Sequence, residues 1–330
     1  MSKKLIGIIG GGVWGSALAK TLSENEVLIY ARDENIVSSI NNYKLNPKLK
    51  YVTFNKNVKG TNIISNLYDC EYVFIAIPTK EIRQVMKIYK KDNLKQNFII
   101  GSKGIEINTK KFPYDIVKEV LNTENISVLS GPCFSSELAQ NMPTAATLAA
   151  HKKETFDELN SLFTNKNIRL YYSDDIIGCQ LGGALKNIYA IASGISMGLN
   201  LGDNARSSLI TRSFSEMSRF AKFMKADPQT LFGLSGLGDL ILTCNSLKSR
   251  NTSFGQLIAS QQKINISEHI KTQETTEGYY TVQAVFEILN DNKIKMPIAE
   301  AIYNILFKKC IINDEINNLL NRPTTYEFDN

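Results

Sequence analysis

A glycine-rich turn near the start of the chain constrains the fold more than any other feature. Residues 4–9 form a short apolar run, followed by Gly10-Gly11-Gly12-Val13-Trp14-Gly15 and then by a pattern typical of a helix. A second apolar run at 27–30 completes a strand–turn–helix–strand unit of about thirty residues. In this setting the G-x-G-x-x-G spacing is typical of a βαβ unit that binds a dinucleotide.

The three glycines of this motif have separate physical roles. Gly10 allows the tight turn, Gly12 lets the backbone approach a pyrophosphate, and Gly15 permits close packing of helix on strand. The N-terminus of the following helix supplies free N–H groups and a partial positive charge for the phosphates. A glycine turn that binds no nucleotide is the alternative.

The residues after the second strand indicate which nicotinamide cofactor is accepted. The chain has Ala31-Arg32-Asp33 at this place. An arginine here accommodates a 2′-phosphate, whereas an acidic residue binds a free 2′-hydroxyl. We therefore expect NADP(H) to be accepted and preferred through Arg32, while Asp33 leaves NAD(H) possible. A solvated Arg32 without a ligand is the alternative.

The remaining pattern predicts an α/β fold in two parts. Apolar runs at 72–77, 98–100 and 126–129 alternate with helical stretches, which favours a parallel, doubly wound sheet of the Rossmann type. Beyond residue 180 helical patterns prevail, at 182–200, 205–225, 278–291 and 297–308, and the polar stretch 260–275 is typical of a loop. We predict a Rossmann-type domain over 1–181 and an all-helical domain over 182–330.

Composition excludes several classes of function. The chain has two histidines in charged surroundings, so we expect no metal site and no histidine catalysis. Five scattered cysteines without a C-x-x-C motif favour a reduced, cytoplasmic setting. The chain contains no run of about twenty apolar residues, so we expect no membrane span. A net charge of +6 suits an anionic small molecule as readily as nucleic acid. Because the chain has no dense basic run and no aromatic residues interleaved with basic ones, we expect no nucleic-acid partner.

Four polar segments are candidates for chemistry. Lys103 follows a buried strand between glycines and is placed to meet an anion. Lys186 stands in an otherwise apolar helix predicted to start near 182, where burial and the helix dipole would lower its pKa and make it a general base. Asp239 follows two glycines at the start of an apolar run. Ser249-Arg250-Asn251 precedes a predicted helix and forms a phosphate receptor. A surface position is the alternative for each lysine and for Arg250.

Taken together, these segments resemble the bacterial-type NAD(P)-dependent glycerol-3-phosphate dehydrogenases almost from end to end. The matching segments, in the order of that family, are GGGVWGSALA, GSKGIE, LSGPCFSSELAQNMPTA, GGALKNIYAIASGI, GLGDLILTC, SRN and TTEGYYTVQAV. The resemblance implies interconversion of dihydroxyacetone phosphate and sn-glycerol 3-phosphate, in the synthesis of glycerophospholipids. It also implies a homodimer.

The resemblance carries roles onto individual residues of this chain. It implies that Lys186 transfers the proton, and we expect Asp239 to orient either Lys186 or a substrate hydroxyl. The implied cofactor contacts are Gly10, Gly12, Val13, Trp14, Gly15, Arg32, Lys103, Ser135, Arg250, Thr275 and Glu277. The implied substrate contacts are Lys103, Gly131, Cys133, Lys186, Asp239, Ser249, Arg250 and Asn251.

Two positions depart from the pattern of that family. Val13 stands where a small polar residue is usual, so only its backbone can serve a pyrophosphate. Cys133 stands where threonine is usual, which removes a hydroxyl donor to the substrate. We expect altered affinity from both. The alternatives for the whole chain are a related two-domain keto-acid reductase and a catalytically silent dinucleotide-binding protein.

Overall fold

The computed structural model describes residues 3–49, 51–164, 167–260, 265–272, 276–324 and 326–327. The chain divides into two compact units. The first comprises Met1–Lys103 and Lys111–Cys179, and the second comprises Gly104–Lys110 and Gln180–Asn330. This division falls two residues before the predicted boundary, and it also assigns a short internal segment to the second unit. The functional domains 1–181 and 182–330 stay a prediction.

The first unit is built on one eight-stranded sheet with the strand order β3-β2-β1-β4-β5-β6-β7-β8. The strands are β1 (Leu5–Ile9), β2 (Glu26–Tyr30), β3 (Val58–Thr61), β4 (Tyr72–Ile75), β5 (Asn97–Ile100), β6 (Ile126–Ser130), β7 (Thr144–Ala149) and β8 (Ile168–Ser173). The first six are parallel in the order 3-2-1-4-5-6, which is the arrangement of dinucleotide-binding sheets. The predicted Rossmann-type fold is confirmed.

Both faces of the sheet are covered by apolar side chains. Ile8 and Phe74 belong to a core on one face, whereas Val73 and Ile75 belong to a core on the other. Strands buried on both faces have continuous apolar sequences, which is why β1, β4, β5 and β6 were predictable. The helices of this unit are α1 (Val13–Thr21), α2 (Glu34–Tyr43), α3 (Thr79–Tyr89), α4 (Pro113–Leu121), α5 (Ser135–Ala139) and α6 (Lys153–Asn160).

The sheet is parallel through β6, as predicted, and departs from that arrangement where β7 joins it. β7 pairs with β6 in the antiparallel sense, and β8 is parallel to β7. Neither strand was predicted, because β7 is rich in alanine and β8 alternates between buried and exposed residues. The direction in which a strand pairs is set by its neighbours in the sheet rather than by its own residues.

The regular secondary structure of the second unit is all helical in its described residues, as predicted, whereas its segment Gly104–Lys110 is a loop. Its helices are α7 (Ile176–Gly198), α8 (Gly202–Phe223), α9 (Asp239–Cys244), α10 (Arg250–Ser260), α11 (Ile266–Thr272), α12 (Glu277–Asn292), α13 (Pro297–Phe307) and α14 (Ile312–Leu320). The prediction of a loop over 260–275 was wrong, because α11 lies within that range. The short segment before α9 is a π-helical turn over Leu234–Gly238.

Helix α7 is the centre of this unit, and glycines let its neighbours approach closely. A Cβ on Gly194 would lie 2.0 Å from the carbonyl oxygen of Thr252, and one on Gly255 would lie 2.0 Å from that of Ile191. On the other side, a Cβ on Gly182 would lie 2.2 Å from the carbonyl oxygen of Ser235. The backbones of α10 and of the π-helical turn therefore both touch α7.

A buried carboxylate joins three helices in the second unit. Glu216, on α8, is 1% exposed and accepts hydrogen bonds from the backbone N–H of Ile298 (2.7 Å) and of Ala299 (3.2 Å) in the first turn of α13. The hydroxyl of Tyr189, on α7, donates to the same carboxylate at 3.2 Å. Burial raises the pKa of Glu216 to about 7, although these donors act in the opposite direction.

We predict that Glu216 makes stability fall as pH rises. Its pKa is about 7 in the folded chain and 4.5 ordinarily. The folded state therefore binds the proton more tightly, and this stabilisation is complete below about pH 4.5 and lost as pH rises through about 7. Urea unfolding between pH 4.5 and 8 should show the difference in unfolding free energy between the wild type and Glu216→Gln changing by about 3 kcal/mol. Parallel pH profiles would contradict this assignment.

Candidate functional site

The glycine turn after β1 forms a tight cradle with one open side. Gly10 has a φ of +128°, and a Cβ there would lie 2.5 Å from the carbonyl oxygen of Ala76. A Cβ on Gly15 would lie 2.0 Å from the carbonyl oxygen of Gly10, so helix α1 packs directly against the turn. In contrast, a Cβ on Gly12 would have no atom within 4 Å. The open space at Gly12 is where a ligand's phosphates can approach the backbone.

The start of α1 fits an anionic ligand. The helix begins at Val13, directly after Gly12, and its first turn contains no acidic residue. Its N–H groups are available to phosphate oxygens, and the helix dipole favours negative charge there. Val13 packs against the core with its side chain and can offer only its backbone, as expected. The residues present therefore fit the pyrophosphate of a dinucleotide.

Trp14 connects this turn to the loop after β5. Its indole Nε1 lies 2.5 Å from the position that a Cβ on Gly101 would occupy, so only glycine fits at 101. The same Nε1 is buried and has no hydrogen-bond partner among the described residues. A buried indole N–H usually has an acceptor, and its lack of one is a further sign that this edge of the sheet meets a polar ligand.

Arg32 and Asp33 follow β2 at the same edge of the sheet. The Arg32 side chain is 73% exposed, and its Nη1 lies 3.6 Å from Oε2 of Glu81. Asp33 instead caps α2, because its carboxylate accepts the backbone N–H of Asn35 at 2.9 Å. Of the two residues weighed for cofactor choice, the acid serves the helix and the arginine extends into solvent.

The ends of β5 and β6 bring Lys103 and Gly131 together. The hydroxyl of Ser102 donates to the carbonyl oxygen of Ile77 at 2.6 Å and so ties the loop after β5 to the end of β4. Lys103 Nζ then donates to the carbonyl oxygen of Gly131 at 3.1 Å. Gly131 has a φ of +153°, and a Cβ there would lie 2.9 Å from Cα of Ala146. This contact places a lysine ammonium at the carboxyl edge of the sheet.

Cys133 and Ser135 follow Gly131. Cys133 is half-buried and packs against the core that contains Ile8 and Phe74. Ser135 begins α5, and α5 packs against α1. The structure therefore gathers the sequence-predicted residues of the first unit at one edge of the sheet, namely Gly10, Gly12, Val13, Trp14, Gly15, Arg32, Lys103, Gly131, Cys133 and Ser135.

In the second unit, Lys186 forms a buried ion pair. Its Nζ donates to Oδ1 of Asp239 at 2.5 Å and to Oγ1 of Thr243 at 2.9 Å. The side chains of Lys186 and Asp239 are 11% and 1% exposed. A buried pair of this kind needs further hydrogen bonds to offset the loss of hydration, and Thr243 supplies one. The alternative of a surface lysine is thereby excluded for Lys186.

The predicted placement of Lys186 near a helix N-terminus was wrong. Helix α7 starts at Ile176, where the carboxylate of Asp175 accepts the backbone N–H of Gly178 at 2.8 Å. Lys186 therefore lies near the middle of a 23-residue helix. The helix dipole acts within the first turn only and has no part in setting this lysine's basicity.

Thr243 was missed by sequence reasoning, although a signal was present. Asp239 is the first residue of α9, and Thr243 is four residues later on the same helix. Side chains four residues apart lie on the same face, so an acid followed at this spacing by a hydroxyl could have been recognised as one polar surface. The close approach of Gly182 to Ser235 brings this face of α9 to α7.

The segment Ser249-Arg250-Asn251 begins α10. The Ser249 hydroxyl accepts the backbone N–H of Thr252 at 3.3 Å, and the Thr252 hydroxyl donates to the carbonyl oxygen of Thr243 at 2.7 Å. Asn251 Nδ2 donates to Oδ1 of Asn187 at 2.9 Å. Arg250 and Asn251 were predicted to precede a helix, whereas they form its first turn. Arg250 is exposed, and Ser249 and Asn251 are buried.

Glu277 begins α12 and is partly exposed. Its neighbour Gly278 donates its backbone N–H to Oδ1 of Asn251 at 2.9 Å. This bond links the start of α12 to the start of α10. Thr275, predicted to contact the cofactor, lies outside the described residues.

The described residues contain neither a membrane-spanning helix nor a cluster of metal ligands. No helix in the described ranges combines the length and the apolar character needed to cross a membrane. Within the same ranges, no three side chains of histidine, cysteine, aspartate or glutamate come together as metal ligands would.

Two family models match consecutive parts of the chain. Residues 5–156 match the N-terminal part of NAD-dependent glycerol-3-phosphate dehydrogenase, and residues 175–317 match its C-terminal part.

Individual relatives agree with this match over their whole length. A glycerol-3-phosphate dehydrogenase [NAD(P)+] of Macrococcus caseolyticus is 39% identical over 330 residues, which cover 98% of this chain and 99% of the relative. A glycerol-3-phosphate dehydrogenase [NAD(P)+] of Wolbachia from Drosophila simulans is 38% identical, and the match covers 96% of this chain and 99% of the relative. The crystal structure of glycerol-3-phosphate dehydrogenase from Coxiella burnetii superposes with a TM-score of 0.90 at 31% identity, covering 97% of this chain and 99% of that one.

Two glycine substitutions should separate folding from ligand binding. Gly15→Ala places a methyl group against the carbonyl of Gly10, and we expect it to lower the free energy of unfolding by about 3 kcal/mol. Gly12→Ala meets open space and should lower it by less than about 1 kcal/mol, yet weaken dinucleotide binding at least tenfold. Urea unfolding and fluorescence titration with NADPH measure the two effects. Unchanged NADPH affinity in Gly12→Ala would contradict the assignment of the cradle.

Proposed function

This chain belongs to the NAD-dependent glycerol-3-phosphate dehydrogenase family, and from that premise we propose that it interconverts dihydroxyacetone phosphate and sn-glycerol 3-phosphate. The observation that carries the proposal is the buried Lys186–Asp239 pair, which holds a proton-carrying ammonium in the helical unit that also contains Ser249, Arg250 and Asn251. The enzyme is an NAD(P)-dependent oxidoreductase acting on a CH–OH group.

The cofactor is a nicotinamide dinucleotide, and it supplies the two-electron reduction of the carbonyl carbon when bound. We propose that it is held by Gly10, Gly12, Val13, Trp14, Gly15, Arg32, Lys103, Ser135, Arg250, Thr275 and Glu277. The glycines and the start of α1 bind the pyrophosphate. We propose a preference for NADP(H), supported by the exposed guanidinium of Arg32 and by the engagement of Asp33 as a helix cap.

The substrate is proposed to contact Lys103, Gly131, Cys133, Lys186, Asp239, Ser249, Arg250 and Asn251. Arg250 is the anchor of the phosphate, because a guanidinium offers paired N–H donors to phosphate oxygens. Asn251 adds an amide donor from the same helix turn, with Ser249 beside it. Lys103 adds positive charge at the edge of the sheet.

Lys186 is proposed as the general acid and base. In the direction of reduction its ammonium donates a proton to the carbonyl oxygen as that oxygen gains negative charge, which leaves a neutral amine. In the direction of oxidation the amine takes the proton of the substrate hydroxyl. Asp239 and Thr243 each hold one ammonium hydrogen and so fix where the nitrogen points. The carboxylate also stabilises the charged form of the lysine.

We further propose several properties on the strength of the family alone. The cofactor-binding part is 1–181 and the catalytic part is 182–330. The chain acts as a homodimer in the cytoplasm and supplies glycerol 3-phosphate for phospholipid synthesis. Its partner is a small phosphorylated ketone, and neither nucleic acid nor a membrane has a role.

The direct test is reduction of dihydroxyacetone phosphate with NADPH and with NADH in turn, followed by absorbance. Turnover with either cofactor supports the proposal, and faster turnover with NADPH supports the role of Arg32. Turnover of 2-dehydropantoate instead would favour the related keto-acid reductase. Cofactor binding without turnover of any phosphorylated ketone would favour a silent binding protein.

Lys186→Ala is predicted to lower kcat by about 10²-fold or more, because it removes the proton donor. The affinity for NADPH should change little. Lys222→Ala, at an exposed position of α8, is the matched control and should retain wild-type kcat. Steady-state kinetics and NADPH titration give both quantities. Retained turnover in Lys186→Ala would reject the assignment.

Arg250→Ala is predicted to act mainly on phosphorylated substrates. We expect kcat/KM for dihydroxyacetone phosphate to fall at least 10²-fold, since a charged hydrogen bond to the phosphate is lost. The slow reduction of dihydroxyacetone, which has no phosphate, should change far less. Arg206→Ala, where the arginine pairs with Asp203 on the same helix, is the control. Equal losses with both ketones would contradict the anchor role.

A further inference from the structure

A chain of buried amide hydrogen bonds connects α7, α10 and the start of α12. Asn187, the residue after Lys186, donates from Nδ2 to the carbonyl oxygen of Gly183 at 3.2 Å. Its Oδ1 accepts Nδ2 of Asn251 at 2.9 Å. Oδ1 of Asn251 in turn accepts the backbone N–H of Gly278 at 2.9 Å. Asn187 and Asn251 are 6% and 8% exposed, so these bonds face little competition from water.

This series of hydrogen bonds fixes which way the amide of Asn251 points. If the amide were reversed, its NH₂ group would meet the N–H of Gly278 and its oxygen would meet Oδ1 of Asn187, and both contacts would repel. The oxygen of Asn251 is therefore occupied by Gly278. An amide NH₂ has two hydrogens, and only one is used by Asn187. Within the described part of the chain, the second hydrogen has no acceptor, so Asn251 offers a ligand a donor.

Gly278 packs so closely against Asn187 and Asn251 that no side chain fits at position 278. A Cβ at this position would lie 2.5 Å from the carbonyl oxygen of Asn187 and 2.8 Å from Oδ1 of Asn251. The first turn of α12 is therefore seated directly on the two asparagines. Glu277, the preceding residue, moves with this turn because it begins the same helix.

We propose that Asn187 is a positioning residue for the reaction. It holds the amide of Asn251 with its second N–H available to the substrate phosphate, and through Asn251 it links substrate binding to the start of α12. This inference rests on the proposed function, in which Asn251 binds phosphate and Glu277 contacts the cofactor. A phosphate accepts hydrogen bonds and donates few, so an amide held as a donor selects it. Substrate and cofactor should then strengthen each other's binding, by an equal factor in each direction.

The first test is a double-mutant cycle in kcat/KM. Asn187→Leu should lower kcat/KM for dihydroxyacetone phosphate by about tenfold, the size of one buried hydrogen bond, mainly through KM. Turnover of dihydroxyacetone should be retained, which also reports a folded active site. When Asn187→Leu is added to Asn251→Leu, kcat/KM for dihydroxyacetone phosphate should fall little further, because Asn187 acts through Asn251. Additive losses, or equal losses with both ketones, would overturn the proposal.

The control is Tyr189→Phe, which removes a different buried hydrogen bond from the same helix. It should lower thermal stability without changing the preference for the phosphorylated ketone. If Asn187→Leu does not fold, Asn187→Ala gives the same comparison with less steric demand. Failure of the wild type to reduce dihydroxyacetone phosphate would reject the proposed function instead, independently of how the variants compare.

The second test measures the link to α12. NADPH is titrated into the wild type with and without saturating sn-glycerol 3-phosphate, and the ratio of the two dissociation constants gives the coupling. We expect sn-glycerol 3-phosphate to tighten NADPH binding in the wild type and in Tyr189→Phe. In Asn187→Leu the ratio should approach one. A wild type without coupling, or a variant with undiminished coupling, would overturn the link.

Discussion

The buried ion pair between Lys186 and Asp239 constrains how the helices of the second unit pack. Removing either member of such a pair typically costs about 3–5 kcal/mol, because the other charge is left without hydration. The pair therefore persists only if the surrounding helices are held so that Asp239 and Thr243 both reach the ammonium. Glycines on α7 meet this requirement. At Gly182, Gly194 and the facing Gly255, backbones approach to distances that no side chain would allow.

The same close packing explains why polar residues of three helices meet around α7. Helix α10 approaches near Gly194, and its first turn then presents Asn251 and Thr252 to α7 and α9. The start of α12 rests on Asn251 and is thereby drawn into the same network. In the first unit the corresponding principle is the shared carboxyl edge of parallel strands. Loops that are far apart in the chain are neighbours there because their strands are neighbours in the sheet.

The predictable part of the fold was the part in which a residue's own pattern decides its structure. Strands buried on both faces appear as continuous apolar runs, and the glycine spacing of β1–α1 has a local steric cause. The strands missed were those whose place depends on partners, such as the alanine-rich β7 and the alternating β8. The start of α7 was misplaced for a local reason, because the cap at Asp175 was overlooked. That error alone produced the mistaken dipole argument for Lys186.

The candidate site shows the same division. Residue types and local spacing made Lys103, Lys186, Asp239 and Arg250 candidates, and the resemblance of the ordered segments distinguished them from the many other lysines, arginines and acids of the chain. Contacts were not accessible in this way. That Lys186 pairs with Asp239 and Thr243, that Lys103 meets the carbonyl of Gly131, and that Asn187 orients Asn251 all depend on how helices and strands distant in sequence pack together. The sequence by itself determined which groups are available, because composition and spacing are local properties. Only the tertiary structure decided which of them touch, because a hydrogen bond requires two groups to come within about 3 Å, and no local pattern specifies that.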